Sequence, residues 1–146
     1  MMYAVMGITG NVGGAVARTL LAKGEKVRGI VRNPEKAVEW QKQGAELFKA
    51  DYDDVDALTA AFTGVAGVFV MVPPNFAPEP GFAETKATLK VLHEALSRAL
   101  PSKAVYLSSI GAEQASGLGL ITGTSPRRDV GRSSVLSCIS GRRLVL

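Results

Sequence analysis

The sequence predicts an α/β protein built on a doubly wound parallel sheet, with strands in the order 3-2-1-4-5. Three observations carry that prediction. Short apolar runs alternate with helix-period segments five times along the chain. One run, Val68-Phe69-Val70-Met71-Val72, is apolar at every position, as a strand covered on both faces must be. The chain opens on a strand-like run, a glycine-rich turn and a helix-period segment, the first step of a right-handed βαβ unit.

Each element has its own warrant. Tyr3-Ala4-Val5-Met6 is the first strand, and Val12 to Gly24 the helix after the turn. Lys26 to Val31 is the second strand, ended by Arg32-Asn33-Pro34. Asn33 suits an N-cap and Pro34 the first helical position, so a helix over 35–43 follows, closed by Gly44. Ala45 to Ala50 is the third strand. Asp53 or Asp54 then caps a helix whose apolar stripe is Val55, Leu58 and Phe62, stopped at Gly64. After the apolar fourth strand, the run Pro73 to Pro80 cannot continue a ladder, because proline has no N–H to donate. Phe82, Leu89, Leu92, Leu96 and Ala99 or Leu100 mark a long amphipathic helix, ended by Pro101. Ala104 to Leu107 is the fifth strand, and the loop from Ser108 follows it.

The chain has 146 residues, enough for one domain with a real core. One cysteine, Cys138, excludes an internal disulfide, and with a single histidine, His93, a metal centre is not expected. His93 lies beside the apolar stripe of its helix and is expected in solvent; Trp40 is expected to pack. No apolar run is long enough to cross a bilayer and no secretory leader opens the chain, so no membrane contact is expected and the expected compartment is the cytoplasm.

The net charge of +4 is unevenly distributed. Residues 1–124 carry twelve basic and twelve acidic side chains; residues 125–146 carry five arginines and one aspartate. Without a basic face on the neutral body, nucleic acid is not an expected partner. The last stretch has no lysine and no clean period. The expected organisation is therefore a folded domain over 1–124 and an irregular basic tail over 125–146. That break in composition fits either a flexible tail or a C-terminal part that is missing or replaced.

The glycine turn holds the chemistry. In Gly7-Ile8-Thr9-Gly10-Asn11-Val12-Gly13 the spacing is G-x-x-G-x-x-G. A turn of this kind, between a strand and a helix, aims backbone N–H groups and the positive end of the helix dipole at one point. A dinucleotide pyrophosphate suits that point, and glycines let the backbone approach it. Where an acidic residue after the second strand would bind a ribose hydroxyl, this chain has Arg32, with Lys36 close behind. A guanidinium pairs with a phosphate through two parallel hydrogen bonds, so the pair favours NADP(H) over NAD(H).

Five linked motifs give a family resemblance. They are the glycine turn, Val31 to Ala37, Ala50 to Asp54, Gly67 to Val70, and Leu107 to Ala112. Together they resemble the NmrA-like proteins, atypical short-chain dehydrogenases of Rossmann fold. The resemblance covers about Met2 to Ala112 and implies a nicotinamide cofactor. It implies that Asp51 and Tyr52 lie beside the adenine, that Val72 and Pro73 border the nicotinamide ribose, and that Ser108 faces the nicotinamide. It also implies an NADPH-dependent oxidoreductase acting on a small electrophile such as a quinone, or alternatively a non-catalytic NADP(H) sensor; an inactive truncated product is the remaining alternative. Ser108 is the one catalytic candidate. The Tyr-x-x-x-Lys pair of short-chain dehydrogenases has no counterpart, because no tyrosine follows Tyr106 and no lysine follows Lys103. The substrate is expected to be a small molecule, and nothing in the pattern specifies an oligomeric state.

Overall fold

The computed structural model describes residues 1–72 and 83–107, and the backbone of residues 136–139. Six strands form one sheet: β1 (Met2–Met6), β2 (Lys26–Val31), β3 (Glu46–Lys49), β4 (Gly67–Val70), β5 (Lys103–Leu107) and β6 (Leu136–Ile139). Their order is β3-β2-β1-β4-β5-β6, and every pairing is parallel. The predicted order of the first five is thus observed. The segment expected to be an irregular tail departs from expectation at 136–139, where four residues add a strand beside β5. Val135, Leu136, Cys138 and Ile139 interrupt the Ser/Arg composition with apolar and β-branched residues, which suit a ladder better than a solvated tail.

The helices are α1 (Asn11–Ala22), α2 (Val38–Lys42), α3 (Val55–Phe62) and α4 (Ala83–Ala99). None of the described helices is long and apolar enough to cross a membrane. The helix expected over 35–43 is split. Asn33 accepts the Glu35 N–H at 3.0 Å, as an N-cap should, but the first turn, Pro34–Ala37, is a 3-10 turn and α2 begins only at Val38. Asp54 is the cap of α3, accepting the Ala57 N–H at 2.9 Å.

Alternation along each strand sends side chains to two cores. Ala4, Met6, Ile30, Val68 and Val70 join α3 and α4 through Leu58, Phe62, Leu92 and Leu96. Val5, Val27, Val31 and Phe69 join α1 and α2 through Val16, Leu20 and Trp40. All four residues of β4 are buried, as its unbroken apolar run requires. Full burial of a side chain such as Phe62 or Leu92 contributes roughly 1.5–3 kcal/mol. Arg28 ties an edge of this assembly together. Its Nε donates to Glu46 at 2.7 Å, one end nitrogen donates to the carbonyls of Ala61 and Thr63, and its plane lies over Phe48. One side chain thereby joins β2, β3 and the C-terminal end of α3, where free carbonyls favour a cation.

Leu100 does not continue the stripe of α4. It closes the helix with φ at +48° and its N–H on the Leu96 carbonyl, and its side chain is 72% exposed. The left-handed conformation costs an L-residue about 1–2 kcal/mol, and glycine escapes most of that. Leu100→Gly gives up little burial and is expected to stabilise the fold by about 0.5–1 kcal/mol, read as a thermal midpoint raised by roughly 2 °C.

The approach of α1 to β1 is set at Gly13, where an added Cβ would lie 2.3 Å from the Gly7 carbonyl oxygen and 2.7 Å from that of Met6. Alanine gains about 1 kcal/mol of helix propensity over glycine, but here it must push backbone away from backbone. Gly13→Ala is therefore expected to destabilise by about 2–3 kcal/mol, measured by urea unfolding.

Tyr106, near the end of β5, packs against the core on the α3 and α4 side, and burial pushes its phenol up to about 12. The unfolded chain ionises this group near pH ~10, and the folded chain only near ~12. The unfolded state therefore binds fewer protons between those values. Stability is full below pH ~10 and falls by on the order of 2 kcal/mol as pH rises to ~12. Tyr106→Phe should flatten that alkaline slope in unfolding curves taken across the range.

Candidate dinucleotide site

At the carboxyl end of β1 the chain turns through Gly7, whose φ of +64° lies in the left-handed region. The Gly10 N–H closes the turn on the Gly7 carbonyl at 2.9 Å, and the Gly14 N–H opens the helical ladder on Gly10 at 2.9 Å. Gly10 is the extended N-cap residue of α1. No side chain caps α1, and its first turn carries no acidic residue. The N–H groups of Asn11 and Val12 thus have no intrahelical partner. Thr9, Gly10, Asn11 and Val12 are exposed, while Gly13 is buried against the strand. Open donors at the positive end of a helix form a cradle for an anion. At Gly7 and Gly13 an added Cβ would fall within 2.3 Å of neighbouring atoms, so the close-packed geometry depends on their lacking one. This donor set fits a dinucleotide phosphate.

The third strand brings a second group of residues to this turn. Asp51 and Tyr52 follow β3, and Asp51 accepts the Tyr52 N–H at 2.9 Å. Tyr52 is half-buried and packs with Val72 against the core on the α3 and α4 side. Burial raises its phenol above the usual value. A backbone hydrogen bond at Gly7 and the nearby Arg32 charge act in the opposite direction, while Asp51 adds a smaller push upward. The phenol is therefore near both the Gly7 backbone and the Arg32 charge.

Arg32 lies just past β2, exposed, with its guanidinium carbon 5.9 Å from the centre of the Tyr52 ring. It makes no ion pair with a carboxylate of the described residues. Stacking on an aromatic face orients the guanidinium and leaves its N–H fork available to an anion. Lys36 is one turn further on, exposed within the 3-10 turn. Its backbone N–H donates to the Asn33 carbonyl at 3.3 Å.

The structure thus brings together Gly7, Tyr52, Arg32 and the start of α1, with Asp51 and Val72 at their flank. Pro73 and Ser108 lie outside the described residues, as does the side chain of Cys138. His93 is exposed and Trp40 is buried, both as expected. Sequence reasoning missed Met71. Its Sδ stands 2.1 Å from the place a Cβ on Gly7 would occupy, so its thioether packs directly on the turn. The β1–β4 pairing could have signalled this, because parallel neighbours end side by side.

A family model described as NAD(P)H-binding matches residues 7–128, beginning at the glycine turn. An NmrA-like family domain-containing oxidoreductase from Aspergillus hancockii is 43% identical over 74 residues, 49% of this chain and 22% of that protein. A triphenylmethane reductase from Citrobacter sp., solved with NADP(H), superposes with a TM-score of 0.71 at 28% identity, covering 84% of this chain and 42% of that one. An NADPH-dependent quinone oxidoreductase from Escherichia coli, solved with NADPH, superposes with a TM-score of 0.73 at 25% identity, covering 94% and 47%. The chain spans 35% and 22% of the length of two curated relatives that it matches, and about half of the solved chains. A family match over most of the chain, a doubly wound sheet in the expected order and an open glycine cradle at its carboxyl edge agree. The chain belongs to the NAD(P)H-binding family, and NmrA-like oxidoreductases are among its relatives.

Proposed function

We propose that the chain binds NADP(H) in preference to NAD(H) and forms the nicotinamide-binding part of an oxidoreductase that reduces a small electrophile such as a quinone. The observation that carries this reading is the Arg32 guanidinium, exposed, stacked on Tyr52 and without a carboxylate partner among the described residues. The turn from Gly7 to Gly13 binds the pyrophosphate through the backbone N–H groups at the start of α1. Arg32 binds the 2′-phosphate, and Lys36 adds a second positive charge. Asp51 and Tyr52 flank the adenine, and Val72 and Pro73 the nicotinamide ribose. NADPH, when bound, supplies a hydride to an acceptor held beside it. Ser108 is the hydrogen-bonding group at that end.

The choice of acceptor follows from the chemistry of hydride transfer. A carbonyl reduction leans on a tuned side-chain acid for ~10²–10⁴-fold of its rate. A quinone accommodates the added charge and takes its proton from water. The named relatives support this direction, since one is an NADPH-dependent quinone oxidoreductase and another a triphenylmethane reductase.

Titration with NADPH and NADH, followed by fluorescence, tests the cofactor preference. Arg32→Glu is expected to weaken NADPH by about 10–100-fold, the worth of a charged hydrogen-bonded contact, while leaving NADH within about threefold. Equal losses for both cofactors, or no loss, would exclude Arg32 as the ligand of the 2′-phosphate. NADPH oxidation with a panel of quinones reads the activity separately.

A further inference from the structure

We infer that Met71 is an oxidation site through which peroxide lowers the chain's affinity for its nicotinamide cofactor. The inference rests on the cofactor reading above. Met71 follows β4 and packs against both cores, at the seam where the carboxyl ends of β4 and β1 meet. Its sulfur takes the space that a side chain at Gly7 would need, the Cβ position being only 2.1 Å from Sδ. Yet Met71 is only half-buried, so solvent reaches the residue. The other methionines differ in one respect or the other. Met6 is fully buried, Met1 is 78% exposed beside Glu25, and Met2 is half-buried at the far end of β1. Of the four, only Met71 combines access with contact on the turn.

The chemistry is balanced by the oxidant. A sulfur lone pair attacks one oxygen of hydrogen peroxide, the O–O bond breaks as an S–O bond forms, and the departing hydroxide takes the proton of the transferred oxygen and leaves as water. The thioether loses two electrons to the peroxide and becomes a sulfoxide. The product is polar and larger, and its oxygen needs hydrogen-bonding partners. No room for that oxygen exists between sulfur and Gly7, so the oxidised side chain either swings off the turn, removing its packing from Gly7, or pushes Gly7 aside. Gly7 is held in the left-handed region with its carbonyl on the Gly10 N–H. Displacing it disorders the N–H array at the start of α1, and with it the anion cradle. A cofactor lying across the turn also covers this ground, so the cofactor-free protein is the vulnerable form.

The test compares each protein with itself before and after hydrogen peroxide. Peptide mass spectrometry locates added oxygen, and titration gives the affinity for NADPH. Wild-type protein is expected to gain a sulfoxide at Met71 and to bind NADPH about tenfold more weakly. Met71→Leu is expected to show no change on treatment, and methionine sulfoxide reductase should restore the wild type. NADPH present during treatment should slow oxidation at Met71 and leave Met1 unaffected. Sulfoxide at Met71 with unchanged affinity overturns the inference, and so does a Met71 that stays reduced while Met1 is oxidised. Untreated protein that binds no NADPH overturns the cofactor reading instead. The turn is then read by thermal melting, where oxidised wild type must melt below oxidised Met71→Leu for the site to stand.

Discussion

The contact on which the rest of the structure depends is backbone against backbone. Helix α1 lies so close to the end of β1 that the carbonyl oxygens of Met6 and Gly7 occupy the space a side chain at position 13 would need. That approach places the start of the helix at the strand's carboxyl end, where its first N–H groups face outward with no side chain capping them. Moving the helix outward by the width of a methyl group would shift those donors away from the residues that β2 and β3 deliver. Tyr52 reaches the same turn from the other core, and Arg32 rests on Tyr52. The candidate site is thus a stack of dependent contacts with the helix–strand approach at its base.

Most of the architecture was legible in the residues. Strand order followed from the alternation of elements and the handedness of crossovers, because a buried parallel sheet leaves few other arrangements. The apolar run at the fourth strand announced its central place, and Asn33 and Asp54 announced their caps. Departures came where local signals were short. The turn after Pro34 tightened to a 3-10 turn because four residues separate the Asn33 cap from α2, too few for an independent α-helical nucleus. Leu100 looked like one more apolar position of α4, yet it closes the helix, since Pro101 follows and disfavours helical backbone before it. The strand at 136–139 was hidden by the arginines around it.

The site was legible to a different degree. A glycine pattern states that the backbone must come close to something, and Arg32 states a charge. Both can be read along the chain. The stacking of Arg32 on Tyr52 and the seating of Met71 on Gly7 join residues 20 and 64 positions apart, and only the parallel register brings them together.

The sheet order also governs how the chain assembles as it is made. β1, β2 and β3 pair in succession along the first 49 residues, so that half can form from local contacts. The opposite edge of β1 has to wait for Gly67–Val70, whose strand joins only after α3 has crossed over the sheet. While a ribosome is still delivering that stretch, the hydrogen-bonding groups along that edge of β1 stand open, and closing so long a loop is the slow step in a parallel topology.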